Sequence, residues 1–233
     1  MKRYAFWLVI LFGVASSFYS CKEEIQPEPA IGEEYFTNEI GTWLEYTVDT
    51  IFQDVNSNVH DTNHFYRRDL LESNFTDAVG RPSVRIERYK RMQPTDSWGI
   101  ADIWYQTVTE NAAERIEENV RYIKMKFPMK DGDIWNGNLY NIEDAWNYTV
   151  TKMHQPFDIN GLHFDSTVTI EQIDSTNLVQ RLYGKEVWAK NVGLVYKKYI
   201  NYKLENVKLQ LPTKLDSVWG AEYEYKATGF GKQ

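Results

Sequence analysis

From Thr42 onward the chain alternates apolar and polar residues with a period of two. Leu44, Tyr46, Val48 and Phe52 alternate with Glu45, Thr47 and Asp49. Successive side chains of a strand point to opposite faces, so this spacing predicts strands with one face in a core and the other in water. The pattern recurs. Val84 and Ile86 stand against Arg85 and Glu87. Ile123, Met125 and Phe127 stand against Lys124 and Lys126, and Trp146, Tyr148 and Val150 against Asn147 and Thr149. Leu194, Tyr196, Ile200, Tyr202 and Leu204 share a face opposed largely by Lys197, Asn201 and Lys203, and Trp219, Ala221, Tyr223, Tyr225 and Ala227 close the series against Glu222 and Glu224.

Turn chemistry punctuates these runs. Asn160-Gly161 supplies the two positive φ values of a tight type I′ hairpin. It places Ile159 opposite Leu162, Asp158 opposite His163, and His154 opposite Thr167. Helix signals are few. Asn111 to Asn119 carries a cap residue with Glu114 three positions on, enough for about two turns, and residues 138–145 suggest a second short helix. The expectation is an all-β, mainly antiparallel domain of roughly ten strands with one or two short helices. A sheet of that size curls or closes to manage its edges, into a curved sheet, half-barrel or barrel. A β-sandwich is the alternative.

The first residues follow a different rule. Lys2 and Arg3 precede an uncharged apolar run from Tyr4 to Val14. Small residues follow, ahead of Ser20-Cys21. This is the layout of an export signal, and the run is shorter than the ~20 residues a membrane-spanning helix needs. Cys21 is the only cysteine in the chain, so it has no partner for a disulfide. Residues 1–20 with Cys21 resemble a lipoprotein signal peptide. The resemblance implies cleavage before Cys21 and attachment of diacylglycerol and acyl chains (palmitate among them) to its sulfur. Two or three chains on one cysteine make anchoring durable, because each buried methylene contributes about 0.8 kcal/mol. Lys22-Glu23-Glu24 resembles the basic-acidic tag on surface-exposed lipoproteins of Bacteroidota, and reads equally well as a solvated tether. Residues 21–34 form the lipidated start and flexible linker, and residues 35–233 a single domain.

A second resemblance rests on Phe127-Pro128, Lys130-Asp131-Gly132 to Trp135, and Val187-Trp188-Ala189-Lys190-Asn191-Val192-Gly193-Leu194-Val195. These segments are similar to a group of envelope lipoproteins of Bacteroidota type with a curved antiparallel sheet and no agreed chemistry. It implies the fold and no activity. Internal echoes are weak. Gly41-Thr42-Trp43 is repeated by Gly132 to Trp135, an offset of 92 from Trp43 to Trp135, whereas Tyr46 to Tyr148 gives 102.

Composition narrows the role. Loss of residues 1–20 removes two positive charges and takes the formal charge from −7 to −9. Such a domain is a poor nucleic-acid binder, since phosphate neutralisation needs clustered Lys and Arg. Aromatic residues make up 15% of the chain, with 16 Tyr and 8 Trp, which suits pleated packing.

Catalytic motifs do not emerge, and neither a cofactor nor a metal is expected. There is no Gly-x-Ser-x-Gly elbow, no His-Glu-x-x-His and no Gly-rich phosphate loop. His60 and His64 have the spacing of a helical metal pair, but their Asn- and Asp-rich setting favours a loop or strand start. Asp54, Asn56 and Asn58 mimic the first half of a calcium loop. Val59 stands where that loop needs Gly and Phe65 where it needs Glu, so an Asx-rich turn is the better account. The carboxylate pairs Glu117-Glu118 and Glu143-Asp144 are ordinary in an acidic chain. Trp98 and Trp104 are the aromatics least secured by pattern.

The function expected from these readings is a lipid-anchored outer-membrane module, periplasmic or on the cell surface, that binds a protein, glycan or lipid partner without catalysis. One alternative is a carrier of a lipid or other apolar ligand in a curved sheet. Another is a glycan-binding surface protein.

Overall fold

A computed structural model describes residues 32–54, 57–204 and 217–233. Cys21, the signal segment and most of the linker lie outside the described residues. So does Asn56 of the calcium-like run.

Among the described residues, twelve antiparallel strands form one sheet. They are β1 (Thr42–Asp54), β2 (Val59–Thr76), β3 (Pro82–Arg91), β4 (Gly99–Thr109), β5 (Ala112–Glu117), β6 (Val120–Lys126), β7 (Ile134–Asn136), β8 (Asn147–Ile159), β9 (Leu162–Thr176), β10 (Gln180–Ala189), β11 (Gly193–Leu204) and β12 (Ser217–Lys232). Their order is 6-5-4-3-2-1-12-11-10-9-8-7. Each half of the chain is therefore a six-strand meander, and β1 pairs with β12 to join them. The outer strands β6 and β7 are stitched together. The Ile123 amide donates to the Gly137 carbonyl at 2.9 Å, and Trp135 Nε1 donates to the Ile123 carbonyl at 2.9 Å. The result is a nearly closed barrel, the closed limit of the expectation. Register shifts in eight of the ladders, at Glu45/Tyr46 and Val187/Trp188 among others, supply the bends that curvature needs.

The helices are a correction. Residues 112–117 are β5, and Glu118 and Asn119, with φ of 50° and 64°, form the two-residue turn into β6. The cap-like Asn111 uses its carbonyl to accept the Phe127 amide. Arg115 and Glu117 belong to the barrel interior, and that tertiary demand overrides the local helix signal. Residues 138–145 are a turn, a bend and irregular backbone. Among the described residues the one helical element is a 3-10 turn, Glu33–Tyr35.

The Asn160-Gly161 hairpin forms as expected, with φ of 49° and 79° and Ile159 opposite Leu162. Its tip packs on β12, where Asn160 Nδ2 donates to the Ala227 carbonyl at 3.0 Å. The expected facing of His154 and Thr167 fails by one residue. Gln155 pairs with Thr167 because His154, at φ 56°, sits in a bulge.

One barrel end is closed by residues 32–41. Tyr35 and Phe36 are buried there. Phe36 lies 5.1 Å from the Trp188 ring, and the Tyr35 hydroxyl meets Ser166 Oγ at 2.8 Å and His154 Nδ1 at 2.7 Å. Gln106 Nε2 donates to the Thr37 carbonyl at 2.7 Å. These contacts cross from β4 to β8, β9 and β10, so the segment acts as a floor. The loops at residues 92–98, 118–119, 137–146 and 177–179 gather at the opposite end. Their tips carry exposed apolar residues, Leu139, Tyr140, Ile142, Leu178 and Val179.

Candidate functional site: a divided polar interior

The centre of the barrel is charged. Lys124 on β6, Glu117 on β5, Lys197 on β11 and Glu186 on β10 form a closed ring of ion pairs. Lys124 Nζ lies 2.7 Å from Glu117 and 2.9 Å from Glu186, and Lys197 Nζ lies 2.9 Å from Glu117 and 3.4 Å from Glu186. Glu186 and Lys197 face each other in register. In the strand order β5 and β11 are six places apart, on opposite walls, so the ring bridges the interior. All four residues are buried. Trp188 Nε1 adds a bond to Glu186 at 3.2 Å.

The ring is neutral in sum, and that makes its burial tolerable. Burial alone raises a carboxyl pKa, but the Lys124 and Lys197 ammoniums outweigh it and hold Glu117 and Glu186 below the usual carboxylate range. Burial alone lowers a lysine; here the two carboxylates outweigh it and hold Lys124 and Lys197 above the ordinary value. Removing one member would leave a buried charge uncompensated.

Two chambers flank the ring. The larger, about 440 Å³, opens among the loops at the unfloored end. Trp146, Tyr199 and Tyr223 line one side as a row of stacked rings, with centroid spacings of 6.1 and 4.8 Å and interplanar angles of 21° and 16°. Amide side chains of Asn138, Gln172, Gln180 and Asn201 also line it. Gln180 Nε2 donates to Asn201 Oδ1 at 3.1 Å, which fixes both. Glu143 and Asp144 stand at the mouth, exposed. Gly137 makes the wall possible, since a Cβ there would lie 2.3 Å from the Tyr148 ring.

The smaller chamber, about 270 Å³, shares Glu117, Tyr122, Lys197 and Tyr223 with the first and continues to Arg67, Arg88, Arg115, Trp104 and Tyr225. The Arg88 guanidinium lies 3.3 Å from the Trp104 ring centroid and pairs with Asp69 at 3.0 Å. At its rim Glu118 lies against Asp102, and that contact together with burial raises the Glu118 pKa.

Several sequence-derived candidates fall elsewhere. His60 and His64 lie on β2, exposed, and His64 Nδ1 meets Asp49 at 2.7 Å. On a strand a spacing of four separates them by roughly 13 Å. Asp158 and His163 form the expected cross-strand pair at 2.6 Å, which raises the His163 pKa, on an exposed hairpin. Among the described residues no group of three or more His, Cys, Asp and Glu is placed to hold a metal ion. Asp54 Oδ1 accepts the Ser57 amide at 3.3 Å, as an Asx-type turn does. Trp98 and Trp104 are half-buried, Trp98 beneath Arg91 at 4.1 Å. Among the described residues no helix is long and apolar enough to cross a membrane.

Sequence reading missed the ring. It put Lys124 and Lys197 on the water-facing side of their strands. Alternation identifies two faces but assigns water to the polar one, and here that face turns inward. The carboxylate pairs set aside as ordinary, Glu117-Glu118 and Glu143-Asp144, lie in the ring and at the chamber mouths.

No protein-family model and no curated protein matches the sequence. Among solved structures, a Bacteroides fragilis protein provisionally described as exported, with a YmcC-like fold, aligns over 83% of this chain and 98% of its own at 11% identity and a TM-score of 0.39. A Vibrio parahaemolyticus domain, provisionally described as an outer membrane lipoprotein-sorting protein domain, aligns over 83% of this chain and 86% of its own at 14% identity and a TM-score of 0.21.

Proposed function

We propose that this chain is an exported lipoprotein, anchored at the outer membrane through Cys21, whose barrel is a non-enzymatic receptor for a small saccharide. The observation that carries the binding role is the larger chamber, lined by the Trp146, Tyr199 and Tyr223 rings together with amides and carboxylates. Aromatic faces pack against the C–H faces of a sugar, while amides and carboxylates accept and donate to its hydroxyls. A volume of 440 Å³ suits one or two sugar units. The same lining argues for a polar ligand over an acyl chain, because an apolar tail would desolvate Glu117, Lys124 and Lys197 and offer them nothing.

The export signal and lone Cys21 support the address. Its test is labelling with an acyl-chain analogue in a bacterial host, followed by fractionation. Wild type is expected in the membrane fraction with label, and Cys21→Ser unlabelled and soluble in the periplasm. A labelled Cys21→Ser chain would refute the anchor.

A further inference from the structure

The smaller chamber holds cations that the ion ring does not use. Its carboxylates are largely committed. Asp69 is taken by Arg88 and Glu117 by Lys124 and Lys197. Glu118 sits at the exposed rim against Asp102. Arg67 and Arg115 also line this space, and neither has a carboxylate within ion-pair distance among the described residues. Arg115 is more than nine-tenths buried, at 7% exposure. Its Nη2 donates to Gln106 Oε1 at 2.7 Å, but its Nε is buried without a hydrogen-bond partner. The Arg67 Nε is likewise buried and unpartnered.

A guanidinium in this condition needs an explanation, because a buried unpaired N–H forfeits its hydration with nothing in return. Arg115 is also held in place. Its guanidinium lies 5.2 Å from the Phe36 ring centroid and 5.0 Å from that of Trp188. Phe36 belongs to the floor segment, so closing the barrel end positions this arginine. A fixed guanidinium with an unpartnered Nε–H is a ready donor to an oxygen of a carboxylate, sulfate or phosphate. The rest of the chamber suits a small anion. Lys197 and Arg88 are balanced by Glu117, Glu186 and Asp69, so the positive charge left over is that of Arg67 and Arg115, and Trp104 and Tyr225 supply flat walls.

We propose that the smaller chamber is an anion site, in which a small oxyanion is held by the unpartnered Nε groups of Arg115 and Arg67. It is separate from the saccharide chamber, with the ion ring between them. The shared chemistry is an oxyanion, from an inorganic ion or from an organic acid.

The test is titration of the full chain, purified in non-ionic detergent, with sodium sulfate, inorganic phosphate, acetate and glucuronate at constant ionic strength, followed by calorimetry and tryptophan fluorescence. Saturable binding of at least one is expected, with preference among the four telling inorganic from organic sources. Arg115→Gln and Arg67→Gln are each expected to weaken it at least tenfold. Arg115→Lys is expected to restore part of the loss, because it keeps the charge without the fork. Arg85→Gln, at a surface ion pair with Glu72 and Glu87, is expected to leave it unchanged. Circular dichroism verifies folding of each variant, and should Arg115→Gln unfold, Arg67→Gln decides alone. No saturable binding of any of the four by the folded wild type overturns the proposal, as does binding that Arg67→Gln leaves intact. Neutral sugars are titrated separately, so failure of the saccharide reading and failure of this one are distinguishable.

Discussion

At the scale of single residues, Lys124 decides more than its sequence context suggests. It sits between Ile123 and Met125, both buried, and is itself 2% exposed. At this point both faces of β6 are therefore buried, one apolar and one charged. Lys124→Met would leave two buried carboxylates sharing one ammonium. The expected loss is about 3–5 kcal/mol in urea unfolding. The double variant Lys124→Met with Glu186→Gln restores neutrality and is expected to recover most of that loss. Equal losses in both would mean that packing, not charge balance, governs the site. The ring also sets a pH dependence. Glu117 and Glu186 have lowered pKa values, so their contribution is present above the unfolded value near 4.3 and is lost as pH falls through the lower folded values. Lys124 and Lys197 are raised, so theirs is present below about 10.4 and is lost as pH rises through the folded values. Urea midpoints measured from acid to alkali are expected to be flat through neutrality and to fall at both ends. The acid fall should be shallower in Glu186→Gln than in wild type. Identical acid limbs would remove the ring as its source.

At the scale of elements, what could be read depended on whether the rule was local. The Asn160-Gly161 turn was legible because its backbone demand is contained in two residues. Nothing lies within 4 Å of a Cβ built on Gly161, so only its φ of 79° matters. Gly161→Ala is accordingly expected to cost about 1–2 kcal/mol through the left-handed backbone alone, read as a shift in the urea midpoint without change in slope; a neutral result would contradict the turn assignment. Asn111–Asn119 was misread for the complementary reason. Its cap and acidic residues satisfy a local helix rule, whereas β5 exists because Arg115 and Glu117 are wanted by side chains 70 and more residues away. Period two made β1, β3, β6, β8, β11 and β12 legible, and the Asn160-Gly161 turn added β9. The side of each strand that faces water was not legible, since Lys197 and Asn201 line chambers while Tyr196 and Ile200, read as core, are only partly buried.

At the scale of the whole molecule, closure follows from an odd arrangement of edges. A twelve-strand order that runs 6 to 1 and then 12 to 7 leaves the first half's last strand beside the second half's first. The echo of Gly41-Thr42-Trp43 by Gly132 to Trp135 falls at the starts of β1 and β7, the corresponding strands of the two meanders, and Gly41 and Gly132 both have positive φ, 87° and 82°. The offset of 92 is the one this topology accommodates. In a floored barrel with a charged crossbar the larger chamber lies on the open side of that crossbar, and its aromatic and amide lining is the ground for the saccharide reading. The measurement that tests it most directly is calorimetric titration of the full chain with a panel of neutral mono- and disaccharides, repeated on Asn201→Ala and Trp146→Ala. Saturable binding of at least one sugar is expected, weakened roughly tenfold or more by either substitution, as loss of a hydrogen bond or a stacking face implies. A folded wild-type chain that binds none of the panel, or binds with an affinity both substitutions leave unchanged, would contradict the account.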